Sequence, residues 1–212
     1  MKPITVKRVA IATLDGGAGK TALGFAIAKE LDFYLISNDD SVIEMAYPDM
    51  AKIMKNPKII DEVVYDFGGF ADAGVIDIIK HCDIVIVPCI NDLNSKMKAI
   101  KTIKELSKYN DNFLVVATRL ESDTDFKEIK AAIQKEFKNI PVLPLRKTKM
   151  LKNALEFGNS PLELIAESKK IAWDGRGFIP EYKEILKAVI NDDERYTNLL
   201  EEKAKGDLQN EQ

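Results

Sequence analysis

The chain has 212 residues, of which 46% are hydrophobic and 31% are charged, a composition that excludes an intrinsically disordered chain. Its net charge of -3 excludes a protein that is basic throughout, so any contact with nucleic acid has to come from a local patch. No apolar run approaches the length of a membrane span, and the first residues show no apolar signal segment. We therefore expect a soluble, cytoplasmic protein, with Cys82 and Cys89 as buried and unreactive thiols.

Apolar stretches rich in β-branched residues alternate with segments of helical periodicity along the chain. Strands are predicted at Val6–Thr13, Phe33–Ser37, Val63–Phe67, Ile84–Pro88, Phe113–Thr118 and Val142–Leu145. Helices are predicted at Lys20–Leu31, Val42–Lys55, Asp72–Lys80, Ser95–Tyr109, Thr124–Phe137 and Lys149–Phe157. The strands are almost continuously apolar, which indicates burial on both faces. The alternation predicts an α/β fold with a single doubly wound, mostly parallel sheet between helices, in a Rossmann-like three-layer arrangement.

The C-terminal part of the chain is predicted to be helical as well. Pro180 is suited to the first turn of a helix, which we expect to run through Ile190. The composition then becomes polar and mildly acidic, so we treat 191–212 as a separate C-terminal helix or tail that continues to about residue 205 and then frays. Trp173 is expected to pack against the core rather than belong to a ligand site.

The segment between the first strand and the first helix has the sequence LDGGAGKT. A glycine-rich turn in this context is typical of a phosphate-binding loop, because its backbone N–H groups and the helix dipole form an anion site. Lys20 is expected to reach the terminal phosphates, and Thr21 to offer its hydroxyl to Mg²⁺. A purely structural turn is the alternative. The predicted nucleotide-binding residues are Gly16, Gly17, Ala18, Gly19, Lys20, Thr21 and Ala22.

A second motif supports this interpretation. The strand at 63–67 carries Asp66 near its carboxyl end, with Gly68 and Gly69 after it. An acidic residue at this place lies beside the phosphate loop and can hold Mg²⁺, usually through water. Asp also commonly ends a strand for structural reasons, so it is the combination with the loop that indicates a metal site formed by Thr21 and Asp66.

Together these motifs resemble those of the ParA/MinD family of deviant Walker-A ATPases, which position plasmids, chromosomes and other cargo. The resemblance covers roughly residues 5 to 190 and rests on GGAGKT, on YLISNDDS as switch I, on VVYDFGG as Walker B and switch II, and on two later segments, CDIVIVPCINDLNSKMKAIKTIKEL and IPVLPLRKTKMLKNALEFGNSPLEL. It implies a ParA-like P-loop nucleotide-binding domain over 1–190, with ATP or ADP and Mg²⁺ as cofactors. It also implies a nucleotide-dependent homodimer and slow ATP hydrolysis, in which Lys20 and Asp39 are catalytic and Asp39 places the attacking water.

The sequence departs from the family pattern at several positions. The signature Lys, which reaches across the dimer to the partner's phosphates, is replaced by Asp15, and the first switch I Asp is replaced by Ser37. Thr118 and Arg119 stand where the family has a base-contacting Asn. A carboxylate at 4–6 Å from a phosphate charge costs about 3–4 kcal/mol at an effective dielectric constant near 20. We therefore predict that Asp15 points away from the nucleotide or pairs with a cation.

The functional predictions follow from the resemblance and from one basic segment. Arg146, Lys147, Lys149 and Lys152 lie within seven residues and are candidates for binding nonspecific DNA; a solvated basic face, or charge that faces the partner's nucleotide, are the alternatives. We expect an ATPase that partitions or positions plasmid or chromosomal DNA or another cargo, with a centromere-binding-like or cargo protein as partner, nucleoid association if DNA is bound, and no membrane binding. The alternatives are a hydrolysis-poor scaffold that localises a conjugation, secretion or pilus apparatus, and a small-molecule synthetase or ligase.

Overall fold

The structure is a computed structural model and describes residues 6–69 and 73–209. In these residues seven strands form one all-parallel sheet with the order β3-β2-β4-β1-β5-β6-β7. The strands are β1 (Arg8–Ala12), β2 (Tyr34–Ser37), β3 (Ala51–Ile53), β4 (Val63–Phe67), β5 (Ile84–Cys89), β6 (Phe113–Leu120) and β7 (Val142–Arg146). The predicted doubly wound α/β fold is confirmed.

Helices cover both faces of the sheet and divide the core into two layers. They are α1 (Lys20–Leu31), α2 (Ile43–Ala46), α3 (Ala73–Lys80), α4 (Leu93–Leu106), α5 (Asp123–Glu136), α6 (Met150–Phe157), α7 (Pro161–Glu167), α8 (Lys169–Gly175), α9 (Phe178–Ile190) and α10 (Asp193–Gln209). Alternate residues of β1 point to opposite layers: Val9 and Ile11 pack with α1, α6, α7 and α9, whereas Ala10 and Ala12 pack with α3, α4 and α5. Both faces of the central strands are therefore buried.

The helix predicted over 42–55 is correct only at Ile43–Ala46 and is wrong from residue 47 onward. The helix α2 ends at Ala46, and the chain continues through a turn that contains Pro48 into the edge strand β3. Proline has no backbone N–H and cannot continue a helix, so the segment is released from the helix. It then pairs with β2, where Leu35 lies opposite Ala51. The partner strand is distant in sequence, which is why local periodicity did not reveal this strand.

The C-terminal helix also differs from the prediction. It begins at Phe178, with Pro180 in its first turn, and it ends at Ile190, because Asn191 adopts a left-handed conformation with φ 49°. The predicted continuation of the same helix to about residue 205 is wrong: a new helix, α10, begins at Asp193 and runs to Gln209. It packs back on the domain, where the Arg195 guanidinium donates a hydrogen bond of 2.9 Å to the carbonyl oxygen of Val6.

Three side chains outside the site test further expectations. Trp173 is 66% exposed and stacks against the guanidinium of Arg176 at 4.2 Å, so the expected packing against the core is wrong. Both cysteines are buried, as predicted, and burial raises the pKa of Cys82 to about 12 and that of Cys89 to about 11. Within the described ranges no helix combines the length and apolar character that a membrane crossing requires.

Candidate nucleotide-binding site

The glycine-rich segment that was predicted to bind phosphate, here called the phosphate loop, connects β1 to α1 at the carboxyl edge of the sheet. Gly19 precedes α1 with φ 84°, a conformation that favours glycine, and no side chain caps the helix. The first N–H groups of α1 are therefore open to an anion, and the helix dipole adds positive potential. Lys20 is almost buried, with 9% exposure, and its ammonium donates a hydrogen bond of 3.0 Å to the backbone carbonyl of Asp15. The loop thus holds its lysine folded over the turn.

Neighbouring elements fasten both halves of this loop. The hydroxyl of Thr118, at the end of β6, donates a hydrogen bond of 2.9 Å to the carbonyl oxygen of Ala18, and Thr118 is only 3% exposed. On the other side, the backbone N–H of Leu14 donates to the hydroxyl of Thr102 in α4 at 3.2 Å. Thr118 therefore supports the loop backbone at the position where the family resemblance implied a contact to the base.

The structure brings Thr21 and Asp66 together as the sequence predicted. The Thr21 hydroxyl donates to Oδ2 of Asp66 at 2.6 Å, and the Ser37 hydroxyl lies 3.4 Å from the same oxygen. Oδ1 of Asp66 is buried and has no hydrogen-bond partner among the described residues. Burial raises the pKa of Asp66, and the hydrogen bond from Thr21 and the charge of Lys20 oppose this effect. A buried carboxylate with one oxygen unpaired is a group that a cation would stabilise.

Asp39 follows β2, close enough to Asp66 for their charges to interact, and is exposed. Its backbone N–H donates to the Ser37 hydroxyl at 3.2 Å, and its negative charge contributes to the raised pKa of Asp66. The side chain contacts Gly68 so closely that a Cβ at this glycine would lie 2.6 Å from Oδ2 of Asp39. Only glycine at position 68 leaves room for the carboxylate in this position.

The segments that carry Asp39 and Gly68 are joined by a residue that the sequence analysis did not single out. Oδ1 of Asn38 accepts a hydrogen bond of 2.8 Å from the N–H of Gly68, and its Nδ2 donates to the carbonyl oxygen of Gly69 at 3.3 Å. Asn38 therefore joins the loop after β2 to the loop after β4.

Asp15 pairs with a cation, which is one of the two outcomes predicted for it. Its Oδ1 lies 3.7 Å from the ammonium of Lys98 in α4, and it also accepts a long hydrogen bond of 3.4 Å from the N–H of Gly17. Burial opposes ionisation, but the nearby Ser95 hydroxyl, the N–H of Gly17 and the charges of Lys98 and Lys20 leave the pKa of Asp15 below its ordinary value. The carboxylate is therefore charged and is compensated by Lys98 of α4.

A cavity of about 240 Å³ adjoins the loop on the side of β6 and β7. Ala18, Gly19 and Ala22 form its floor, and Leu155 and Phe178 are among its apolar walls. Its position beside the phosphate loop and its apolar lining suit the flat ring of a nucleobase. Arg119 and Lys152 also line the cavity, and Arg119 is held with φ 56° at the end of β6.

The basic segment after β7 is partly neutralised. The Arg146 guanidinium forms an ion pair with Glu181 at 2.6 Å, and the Lys147 ammonium forms one with Glu121 at 2.5 Å. Lys149 and Lys152 have no acidic partner at ion-pair distance among the described residues. The predicted patch of four cations therefore presents two uncompensated charges. Among the same residues no cluster of three or more His, Cys, Asp or Glu side chains is arranged to hold a metal ion.

Comparison with solved structures shows the fold to be that of the ParA, MinD and McdA ATPases. An ATP complex of McdA from Cyanothece shares 16% identity, with coverage of 87% of this chain and 96% of that one, at a TM-score of 0.57. The septum site-determining protein MinD from Pyrococcus horikoshii, complexed with Mg-ADP, shares 11% identity; the match covers 84% of this chain and 95% of that one, at a TM-score of 0.59. A plasmid partition protein from Borrelia burgdorferi bound to AMPPNP shares 12% identity; the match covers 87% of this chain and 98% of that one, at a TM-score of 0.53. No family model and no curated protein matches the sequence.

Proposed function

We propose that this protein is a nucleotide switch of the ParA/MinD type, which binds Mg-ATP and hydrolyses it slowly. The observation that carries the proposal is the pair formed by Thr21 and Asp66, at 2.6 Å, directly beside the phosphate loop. The open N-terminus of α1 and the apolar cavity next to it would take the phosphates and the base of one nucleotide. Solved structures of the same fold hold Mg-ADP, ATP and AMPPNP, which supports this choice of ligand.

The residues present fit a magnesium ion. Within the described part of the chain, Oδ1 of Asp66 is buried without a hydrogen-bond partner, and the Thr21 hydroxyl contacts the other oxygen of the same carboxylate. Mg²⁺ usually keeps several waters and binds one or two protein oxygens together with phosphate oxygens, so this small donor set is sufficient. When bound, the ion would neutralise charge on the β- and γ-phosphates.

The remaining roles follow from position. Lys20 lies at the start of α1, with its ammonium held over the loop, and would neutralise charge on the terminal phosphates. Asp39 would orient the attacking water in line with the γ-phosphate. Its exposed carboxylate lies against Gly68 in the loop after β4. Such catalysis depends mainly on positioning and electrostatic stabilisation rather than on covalent chemistry.

Binding of a fluorescent, non-hydrolysable ATP analogue tests the proposal, by titration with and without Mg²⁺. We expect Mg²⁺ to strengthen binding to the native protein. In Thr21→Ala and in Asp66→Asn, the increase in affinity on adding Mg²⁺ should be at least about tenfold smaller than in the native protein, because each substitution removes an oxygen from the metal site. Thr124→Ala is the matched control, since Thr124 is an exposed threonine in the first turn of α5. Native protein that binds no triphosphate would refute the proposal.

A second function is favoured by Asp15: a scaffold whose nucleotide stabilises a docking surface without appreciable hydrolysis. Position 15, where the family resemblance places a cation that reaches across a dimer, carries an acidic side chain here. Asp15 pairs instead with Lys98 of its own chain. Steady-state ATP turnover distinguishes the two functions. If the missing cation limits hydrolysis, Asp15→Lys should raise turnover; unchanged turnover in this variant would reject that explanation.

The cargo and the assembly belong to the same proposal. A cytoplasmic homodimer closed by ATP would position plasmid or chromosomal DNA, or another cargo, through a centromere-binding-like or cargo protein. Light scattering with ADP and with the ATP analogue measures whether size changes with the γ-phosphate. A protein that binds both nucleotides but keeps a constant size is a scaffold without the ATP-driven dimer cycle.

A further inference from the structure

One face of α4 carries three polar residues that lie beside the phosphate loop. Ser95, Lys98 and Thr102 share this face, because their spacing of three and four residues matches the helical repeat. Thr102 accepts a hydrogen bond from the N–H of Leu14, while Lys98 and Ser95 both act on the carboxylate of Asp15. The helix thus contacts the first half of the loop, at Leu14 and Asp15.

Two ammonium groups lie close to Asp15. Lys98 approaches Oδ1 of Asp15 at 3.7 Å, and Lys20 binds the backbone carbonyl of the same residue at 3.0 Å. The charges of both lysines favour the ionised form of Asp15. Its second oxygen, Oδ2, is buried and makes no hydrogen bond within the distance and angle limits of a normal one. The contact to Lys98 is longer than a hydrogen bond, so the ammonium is held near the loop but is not locked there.

The geometry points to Lys98 as a second cation of the phosphate site: Asp15 holds its ammonium beside the loop, and the terminal phosphate of a bound triphosphate draws it onto the nucleotide. This inference rests on the proposed nucleotide function. Its physical basis is charge: a carboxylate in the loop repels the incoming phosphates, whereas a Lys98 ammonium released from the carboxylate attracts them. Lys98 is about one-third exposed, with 34% of its side-chain surface accessible, so it has room to move.

The inference makes the preference for a triphosphate depend on Lys98. Affinities for Mg-ADP and for a non-hydrolysable Mg-ATP analogue are measured by isothermal titration on native protein, Lys98→Met and Lys98→Arg. Lys98→Met should weaken triphosphate binding by about ten- to a hundredfold and diphosphate binding much less, because only the terminal phosphate is taken to reach the ammonium. Lys98→Arg, which keeps the charge, should retain most of the preference. Lys101→Met is the matched control, since Lys101 lies on the same helix and pairs with Glu105 at 3.7 Å.

The double variant Asp15→Asn, Lys98→Met separates this role from simple neutralisation of Asp15. If Lys98 contacts the phosphate, the double variant remains deficient in triphosphate preference. If Lys98 only compensates Asp15, removing both charges restores native binding, and this outcome overturns the inference. If the ratio of the affinities for Mg-ADP and for the Mg-ATP analogue is the same in Lys98→Met as in the native protein, the inference is also overturned, while the proposed function is left intact. Native protein that binds neither nucleotide refutes the proposed function itself. Thermal unfolding of each variant shows that the comparison is made on folded protein.

Discussion

A carboxyl group buried under the phosphate-loop helix is expected to make the stability of the protein depend on pH. Glu30, near the end of α1, has no exposed surface, and its Oε1 accepts a hydrogen bond of 3.0 Å from the hydroxyl of Ser160. Its Oε2 and the hydroxyl of Tyr182 are both buried, and neither makes a hydrogen bond of normal geometry to any residue that the structure describes. Lys203 of α10 and Glu163 of α7 are the charged groups that face it, and they form an ion pair at 3.1 Å.

Burial is the main reason why the pKa of Glu30 is raised from an ordinary 4.5 to about 7. The charge of Lys203 and the hydrogen bond from Ser160 lower the pKa, and the charge of Glu163 raises it. Because the folded state holds the proton more tightly than the unfolded state, the stabilisation is fully present below about pH 4.5 and is lost as pH rises through about 7. At about 1.4 kcal/mol per unit of pKa, the shift from 4.5 to about 7 makes the full loss about 3–4 kcal/mol.

Urea denaturation at a series of pH values between 5 and 8.5 measures this effect. Over this range the free energy of unfolding of the native protein should fall by about 2–3 kcal/mol through the titration of Glu30. Glu30→Gln should not show this fall, because glutamine keeps the shape of the side chain but does not titrate. Glu156→Gln, at an exposed position of α6, serves as the control and should follow the native profile. Parallel pH profiles for the native protein and Glu30→Gln would refute the reasoning.

Further predictions concern the loop, the second switch segment and the basic segment. Thr118→Val removes the hydrogen bond to the phosphate loop and leaves a buried carbonyl unpaired, so urea denaturation should show a loss of about 1–3 kcal/mol. Gly68→Ala places a Cβ 2.6 Å from Oδ2 of Asp39, so steady-state ATP turnover should fall while nucleotide affinity changes little; unchanged turnover would refute a catalytic role for Asp39 in this position. If nonspecific DNA is bound, Lys149→Gln with Lys152→Gln should lower the salt dependence of binding by about two counterions. An unchanged salt slope would exclude these two lysines as phosphate contacts.

The local features of the site could be predicted because their information lies in short segments. The glycine spacing of the loop and the apolar strand before it predict a turn between β1 and α1, and Lys20 and Thr21 follow at fixed positions. Asp66 falls at the end of a β-rich segment, and parallel strands bring such ends to one edge of the sheet. The contact between the Thr21 and Asp66 side chains was therefore predictable from the order of elements alone.

Other features depend on pairings between distant segments and are absent from any local pattern. The strand β3 exists because β2 offers an edge, and the basic character of Arg146 is cancelled by Glu181 across the domain. Asn191 looks ordinary in the sequence, yet its left-handed conformation separates α9 from α10.

The sequence by itself determined the α/β architecture, the phosphate loop and the acidic residue that faces it. Only the tertiary structure decided the state of Asp15, because its partner Lys98 is brought to it by the packing of α4 on the sheet. The physical reason is the range of the forces: backbone turns and apolar periodicity act over a few residues, whereas charge compensation depends on which helix faces lie together after folding.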